Sequence, residues 1–422
     1  MIELFEHQKE ALEKTKDFEN VAYFYDMGLG KTFIGSEKMM IYGNDINLVI
    51  CQKSKIDDWI KHFKNNYRAN EVYNLTDKKE YDYFFKNIGK YSMIGVINYE
   101  LAWRRKELES LKDFTLMLDE SSSIQNSKAK QSKFITRKLK PKNTILLSGT
   151  PTSGKYERLW TQCHLLGWDI SESRYNNTFV NWDLIDFGMG KVRVLNKKNP
   201  YKNVERLKKK LREYGAVFMK TEECFKLPSQ IFIDVKIKMP KEYLQFLETS
   251  IVTIESKELV GDTSLTKRLY LRMLSSQYNS EKIKAFKDLI ESTEDRLIVF
   301  YNFNEELEKL KKVTDRPISI VNGHQKDLTN YENENDSVTF IQYQAGAMGL
   351  NLQKANKIIY FSPTERCELY MQSKKRINRI GQERPCFYYK MTTEGSVEEL
   401  IYEALDRGED FTDELFKERI VQ

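Results

Sequence analysis

The chain has 422 residues, of which 12% are aromatic and 31% charged, with a mean hydropathy of −0.61 and a formal net charge of +6. That length is too great for one compact core and predicts two lobes of ordinary size, while the composition excludes a disordered or low-complexity protein. No apolar run approaches the roughly 20 residues of a membrane span, residues 1–6 lack a signal-peptide pattern, and five scattered cysteines (Cys51, Cys163, Cys224, Cys367, Cys386) argue against a disulfide framework or zinc site, so a cytoplasmic protein without a membrane partner is expected.

Residues 4–12 carry apolar side chains at helical spacing and include Gln8, 23 positions before Lys31. Its carboxamide could read the paired donor and acceptor of an adenine edge, or be an ordinary polar helix residue. An apolar strand at 21–25 then runs into Tyr25-Asp26-Met27-Gly28-Leu29-Gly30-Lys31-Thr32, followed by a helix over 33–40. Strand, glycine-rich turn and helix form the context of a phosphate-binding loop. Gly28 and Gly30 allow backbone N–H groups to turn inward, the helix offers the positive end of its dipole, and Lys31 can reach terminal phosphates. Thr32 would offer its hydroxyl to magnesium. Tyr25 stands where the usual motif begins with glycine, so the match is partial.

Further buried strands are predicted at 47–51, 92–97, 114–118 and 144–147, separated by helices. Lys53, Ser54, Asn98 and Tyr99 follow two of these strands, on the sheet edge where ligands generally bind, as ligand contacts or as plain loop and cap residues. Asp119 and Glu120 end the third. In a chain with a phosphate loop, Asp119 can hold magnesium through its water shell while Glu120 orients and deprotonates the attacking water. After the fourth comes Ser148-Gly149-Thr150-Pro151-Thr152, a turn whose hydroxyls could sense the nucleotide site.

Between about 170 and 225 the alternation lapses. Residues 191–212 hold ten Lys or Arg against one acid, Glu205, which suits either a phosphate backbone or a solvated helix face, since Val204, Leu207 and Leu211 keep a helical period. A second set of strands is predicted at 230–238, 297–301, 318–321, 338–341 and 357–361, with helical segments from 239 to about 292. Gln344, Gly346 and Gly349 follow one of these strands, where backbone must approach something closely. Residues 372–382 read as a helix placing Arg376 and Arg379 on one face, as two guanidiniums suited to a triphosphate. The fold expected is α/β: two doubly wound parallel sheets, residues 1–225 and 226–422, the first carrying a basic helical extension at about 170–225.

The ordered motifs resemble the superfamily-two nucleic-acid motors, and among them the Swi/Snf-type DNA translocases. The likeness rests on residues 26–32, Asp119-Glu120, residues 147–151 with Leu159-Trp160, residues 345–352 and residues 372–382, whose Arg-Ile-Asn-Arg-Ile-Gly-Gln ending is the most family-specific. It implies two RecA-like lobes with a nucleotide cleft between them. It implies ATP and Mg²⁺ held by Gln8, Asp26, Met27, Gly28, Leu29, Gly30, Lys31, Thr32, Asp119 and Gly349, with Glu120 as base and Arg376 and Arg379 as arginine fingers. It also implies backbone contacts to DNA from Lys53, Ser54, Asn98, Tyr99 and Gln344. The chain departs from the family pattern where Ser122 replaces a usual histidine, Ala347 a usual glycine, and Ser362-Pro363-Thr364 a segment that commonly carries tryptophan.

The resulting expectation is a monomeric DNA-dependent ATPase that translocates on double-stranded DNA, a bare motor like those of phages and mobile elements, working in a bacterial or phage-infected cell. A replication or recombination protein is a candidate partner. One alternative is a strand-separating or annealing helicase on forked DNA or RNA; no hairpin wedge is evident in the sequence. Another is a DNA-binding switch or loader that does not travel, with residues 397–420 either a partner helix or packed on lobe two.

Overall fold

The computed structural model describes residues 3–26, 28–67, 71–149, 151–152, 155–186, 191–196, 198–346 and 350–420. The chain divides into two compact units, Met1–Cys224 and Phe225–Gln422.

The first unit is built on a seven-stranded sheet. Its strands are β1 (Asn20–Tyr25), β2 (Ile46–Cys51), β3 (Glu71–Asn74), β4 (Met93–Asn98), β5 (Phe114–Asp119), β6 (Asn143–Ser148) and β9 (Ala216–Met219), in the order β3-β4-β2-β5-β6-β1-β9. All neighbours are parallel. Every residue of β2, β4 and β6 is buried, which is why these strands read as continuous apolar runs rather than as alternating patterns. Helices cover the sheet, among them α1 (Glu6–Lys14), α2 (Lys31–Tyr42) and α3 (Ile56–Asn66). Helix α2 lies directly on β5 and β6: a Cβ at Gly35 would come within 2.8 Å of Leu147 Cδ1 and 3.0 Å of Met117 Sδ.

Register places the chemistry. Strand β6 lies between β1 and β5, with Phe24 opposite Ser148 and Asp119 opposite Leu147. The phosphate loop, the acidic pair and the Ser148 turn therefore emerge side by side at the carboxyl edge of one sheet.

Strands β3 and β9 lie outside the strands expected from sequence. Strand β9 falls within the segment expected to lack regular alternation, and pairs with β1 at the sheet edge. That segment also holds an antiparallel hairpin, β7 (Trp182–Asp186) with β8 (Lys191–Leu195), and the helix Val204–Glu213. The helix buries Leu207 and Leu211 and turns its basic side chains outward, with Lys208 on Glu205 at 2.7 Å and Lys210 on Glu213 at 2.5 Å.

The second unit has strands β10 (Gln230–Ile237), β13 (Leu297–Tyr301), β14 (Ile318–Val321), β15 (Lys326–Asp327), β16 (Val338–Gln342), β17 (Lys357–Tyr360) and β18 (Cys386–Thr393), ordered β10-β18-β17-β13-β16-β14-β15. Only the β14–β15 pair is antiparallel. A small hairpin, β11 (Ile251–Ile254) with β12 (Lys257–Val260), interrupts the segment expected to be helical. Helices Val397–Asp406 and Asp413–Ile420 bury Ile401, Tyr402, Leu405 and Phe416 in this unit's core, with Phe411 between them. Of the two readings of residues 397–420, packing on the second unit is the one observed. No helix of the described residues is long and apolar enough to cross a membrane.

Lys282 and Glu398 form a fully buried ion pair in this unit, with Nζ 2.6 and 2.7 Å from the two carboxylate oxygens. Glu398 Oε2 also accepts from Thr393 N at 2.9 Å. Burial pushes the carboxyl up and the ammonium down, and each is opposed by the other's charge. Removing one partner strands a buried charge, so Glu398→Ala should cost about 3–5 kcal/mol. The urea midpoint of the second unit measures it, and Lys282→Met with Glu398→Leu together should cost clearly less than the single change.

In the first unit, His62 joins α3 to α2. Its Nε2 lies 3.0 Å from Ser36 Oγ, which itself donates to the Thr32 carbonyl at 2.8 Å, so the ring nitrogen is assigned as the donor. Burial lowers the His62 pKa to about 4. The native ring is thus neutral while the unfolded ring titrates near about 6.5. Its contribution to stability is complete above that value and lost as pH falls toward 4. The first unit's melting temperature should therefore fall more between pH 6.5 and 4 in the wild type than in His62→Gln.

Candidate nucleotide and nucleic-acid sites

The loop leaving β1 turns through two left-handed glycines, Gly28 at φ 90° and Gly30 at φ 73°. Gly30 caps α2, which begins at Lys31. No side chain tolerates this position easily: besides the φ, a Cβ would sit 2.3 Å from Gln8 Nε2. Gln8 is only 1% exposed, and its Nε2 donates to the carbonyls of Leu29 (3.2 Å) and Gly30 (3.1 Å) while Oε1 accepts from Phe5 N at 2.9 Å. The carboxamide is therefore turned to the loop, and sets its curvature from beneath. His7 Nε2 lies 3.2 Å from the Leu29 carbonyl as well.

Lys31 Nζ donates to the carbonyls of Tyr25 (2.9 Å) and Asp26 (3.4 Å), so its ammonium is held at the mouth of the loop. Asp26 Oδ2 accepts from Thr221 N at 3.2 Å, tying the loop to the segment after β9. Thr32 is partly exposed in the first turn of α2. Met27, Thr150, Ala347 and Gly349 lie outside the described residues.

At the end of β5, Asp119 Oδ2 accepts from the Trp59 indole N–H at 2.8 Å. Burial pushes the Asp119 carboxyl up, opposed by the Trp59 hydrogen bond, the positive charges of Lys31 and Lys55, and the Glu120 backbone N–H. Glu120 has φ 51° and ψ 61°, a left-handed conformation uncommon for a non-glycine residue. Such a backbone persists only when its surroundings hold it. Tyr99 supplies one hold, its hydroxyl donating to the carbonyls of Asp119 (2.9 Å) and Glu120 (3.4 Å).

Tyr99 and Asn98, expected as contacts to a nucleic-acid backbone, have their side chains engaged within the first unit. Tyr99 is 2% and Asn98 7% exposed; Tyr99 faces the acidic turn from below, and Asn98 Nδ2 bonds Glu100 Oε2 at 2.6 Å. Lys53 and Ser54, in a turn of 3₁₀ helix after β2, are exposed at the same sheet edge.

Sequence reasoning missed three side chains. Gln162, fully buried, accepts from Ser121 Oγ at 2.9 Å and donates to the Pro151 carbonyl at 2.8 Å. Gln125 Nε2 donates to the same carbonyl at 2.9 Å. These amides join the acidic turn to the Ser148–Pro151 region beside Ser122, where the family pattern has histidine. The third is Trp59, whose only sequence signal was its place in an amphipathic helix.

In the second unit, the helix Cys367–Lys374 ends before either arginine, so Arg376 and Arg379 do not share a helical face as expected. The chain unwinds because residues 350–355 take over its hydrogen bonds. Leu352 N donates to the Arg376 carbonyl at 3.2 Å, Arg379 Nη1 donates to the Leu350 carbonyl at 3.3 Å, and Gln382 Nε2 donates to the carbonyls of Gln353 (3.1 Å) and Ala355 (2.8 Å). Burial lowers the Arg379 pKa. Gln344 lines a polar cleft of about 140 Å³ with Arg272, Asn302, Gln342, Thr364 and Arg366, at the carboxyl ends of β13, β16 and β17.

The first unit's residues suit a magnesium nucleotide. A glycine turn and a lysine offer donors to a polyphosphate, and a half-buried carboxylate with one oxygen already hydrogen-bonded stands across β6. Because Gly30→Ala both strains the turn and collides with Gln8, it should weaken binding of a fluorescent ADP analogue at least about tenfold while leaving the first unit folded. Equilibrium titration and circular dichroism check the two halves of that expectation.

The model of the SNF2-related domain matches residues 8–294, and that of the helicase conserved C-terminal domain matches residues 281–381. A Bacillus subtilis protein named as an ATP-dependent helicase/translocase is 25% identical over 349 residues, covering 74% of this chain and 36% of that protein. The mouse SWI/SNF-related matrix-associated actin-dependent regulator of chromatin subfamily A member 1 is 25% identical over 430 residues, covering 90% and 40%. A solved structure of the Sulfolobus solfataricus SWI2/SNF2 ATPase core in complex with dsDNA aligns with a TM-score of 0.46 at 20% identity, covering 99% of this chain and 93% of that one. The chain thus spans only about two fifths of the length of these two relatives. Since the first of the two models takes in more than half of its residues, the chain belongs to the family of SNF2-related domains.

Proposed function

We propose that the chain is a DNA-dependent ATPase that moves along double-stranded DNA. The observation that carries this reading is the side-by-side arrangement of the Gly28–Gly30 turn, Lys31 and the Asp119–Glu120 pair at one sheet edge in a member of the SNF2-related family. The name of the Bacillus subtilis relative, helicase/translocase, supports the same direction.

On this reading the backbone N–H groups of the loop and the start of α2 receive the polyphosphate, and Lys31 leaves the Tyr25 carbonyl for the terminal phosphates. Thr32 and Asp119 would hold a magnesium ion, which would offset phosphate charge. Glu120, kept in its strained conformation from below by Tyr99, orients the attacking water and accepts its proton. Arg376 and Arg379 are the guanidiniums that would suit charge on the transferred phosphoryl group. Gln344 in its polar cleft, with Lys53 and Ser54, would grip the phosphate backbone. Outward basic side chains on the helix Val204–Glu213 would add salt-sensitive affinity.

A strand-separating activity is the second reading, favoured by one feature the sequence did not reveal. The β7–β8 hairpin exposes Leu184 (64%), Ile185 (42%) and Val192 (50%), apolar side chains of the kind a wedge inserts between bases.

Steady-state hydrolysis with no nucleic acid, duplex DNA, single-stranded DNA or RNA separates these readings. Duplex DNA should stimulate hydrolysis most, with Glu120→Gln inactive throughout. Stronger stimulation by single strands, with strand displacement that Leu184→Asp abolishes, would favour the wedge instead.

A further inference from the structure

We propose that Trp59 is a positioning residue for the metal site: its indole N–H holds the Asp119 carboxylate in the orientation that receives magnesium. The inference rests on the reading of Asp119 given above, and extends it to a side chain on a different element.

An indole N–H only donates, and when buried it needs an acceptor. Trp59 is 3% exposed and its acceptor is Asp119 Oδ2, at 2.8 Å and 60 residues away in sequence. Its ring cannot turn aside. It stacks on Phe63 at 5.5 Å and 25°, and meets the edge of His62 at 5.8 Å and 86°. His62 in turn holds Ser36 of α2, the helix that the phosphate loop opens. The indole is thereby anchored to the same helix that carries Lys31 and Thr32.

The carboxylate needs such a restraint. The indole bond on Oδ2, beside the Glu120 backbone N–H, favours one rotamer of the carboxylate. Without the bond, Asp119 is free to turn toward the Lys31 ammonium, whose charge already acts on it. A Lys31–Asp119 pair would withdraw both groups from a magnesium nucleotide at once. Outer partners of this kind commonly change metal affinity by roughly 10- to 100-fold when removed.

Trp59→Phe keeps an aromatic ring against Phe63 and removes the N–H together with the indole's second ring; metal-free ADP binding reads out the packing loss separately. The test is the affinity of the full chain for ADP, by calorimetric titration with and without Mg²⁺, beside Asp119→Asn. The wild type should bind ADP more tightly with Mg²⁺. Trp59→Phe should lose most of that Mg²⁺-dependent gain, by roughly 10-fold or more, while binding metal-free ADP as the wild type does. An unchanged gain would overturn the proposal, and so would an equal loss of affinity with and without Mg²⁺, which marks a merely structural residue. If Asp119→Asn keeps the full gain, the assignment of Asp119 fails and the role of Trp59 falls with it.

Discussion

The left-handed turn at Gly30, closed from beneath by the Gln8 carboxamide, is the constraint on which the first unit's chemistry depends. It starts α2 at Lys31, so the lysine ammonium falls back onto the Tyr25 and Asp26 carbonyls and the helix dipole points into the loop. Because α2 packs on β5 and β6 through Gly35, the turn also settles how close the loop lies to Asp119. A change of one methyl group at Gly30 would disturb the turn, the Gln8 bonds and the approach to the acidic pair together.

In both units the candidate site residues are held by polar bonds at least partly buried rather than by surface ion pairs. The Asp119 side chain is held by an indole, the Asp119 and Glu120 backbone carbonyls by the Tyr99 hydroxyl, and the Pro151 carbonyl by two glutamine amides. In the second unit, Gln382 and the Leu352 amide pin the arginine segment to residues 350–355. Buried bonds of this type are expensive to break because each lost partner leaves a desolvated group unpaired. They suit a site that must return to one geometry after every turnover.

The α/β class and the order of the main strands were legible because parallel strands buried on both faces leave continuous apolar runs, as at β2 and β13. The loop and the acidic pair were legible because glycine and paired carboxylates at a strand end have few structural uses. The partners of those groups were not. Trp59 and Gln162 act across 60 and 41 residues of chain, and nothing local distinguishes a buried indole or amide that meets a polar atom from one that fills a core. The arginine segment misled for a related reason: residues 372–382 have a helical period, but tertiary hydrogen bonds from 350–355 outcompete the helix after Lys374. The bonds of Tyr99 to the acidic turn were not legible, because strand-end position alone cannot say which way a side chain turns. The β7–β8 hairpin escaped notice because β7 lacks an apolar alternation and the alternating Lys191-Val192-Arg193-Val194 of β8 reads equally as part of a basic run.

These elements converge on one claim, that nucleotide chemistry at the Gly30 turn drives directed movement on duplex DNA. The measurement that tests it most directly is displacement of a third strand from a triplex placed at one end of a linear duplex, followed in time with ATP, with ADP, and with the Lys31→Ala protein. ATP-dependent displacement by the wild type, with none from ADP or Lys31→Ala, is the predicted result. Duplex-stimulated hydrolysis with the third strand left in place would contradict movement and leave a DNA-bound ATPase that does not travel.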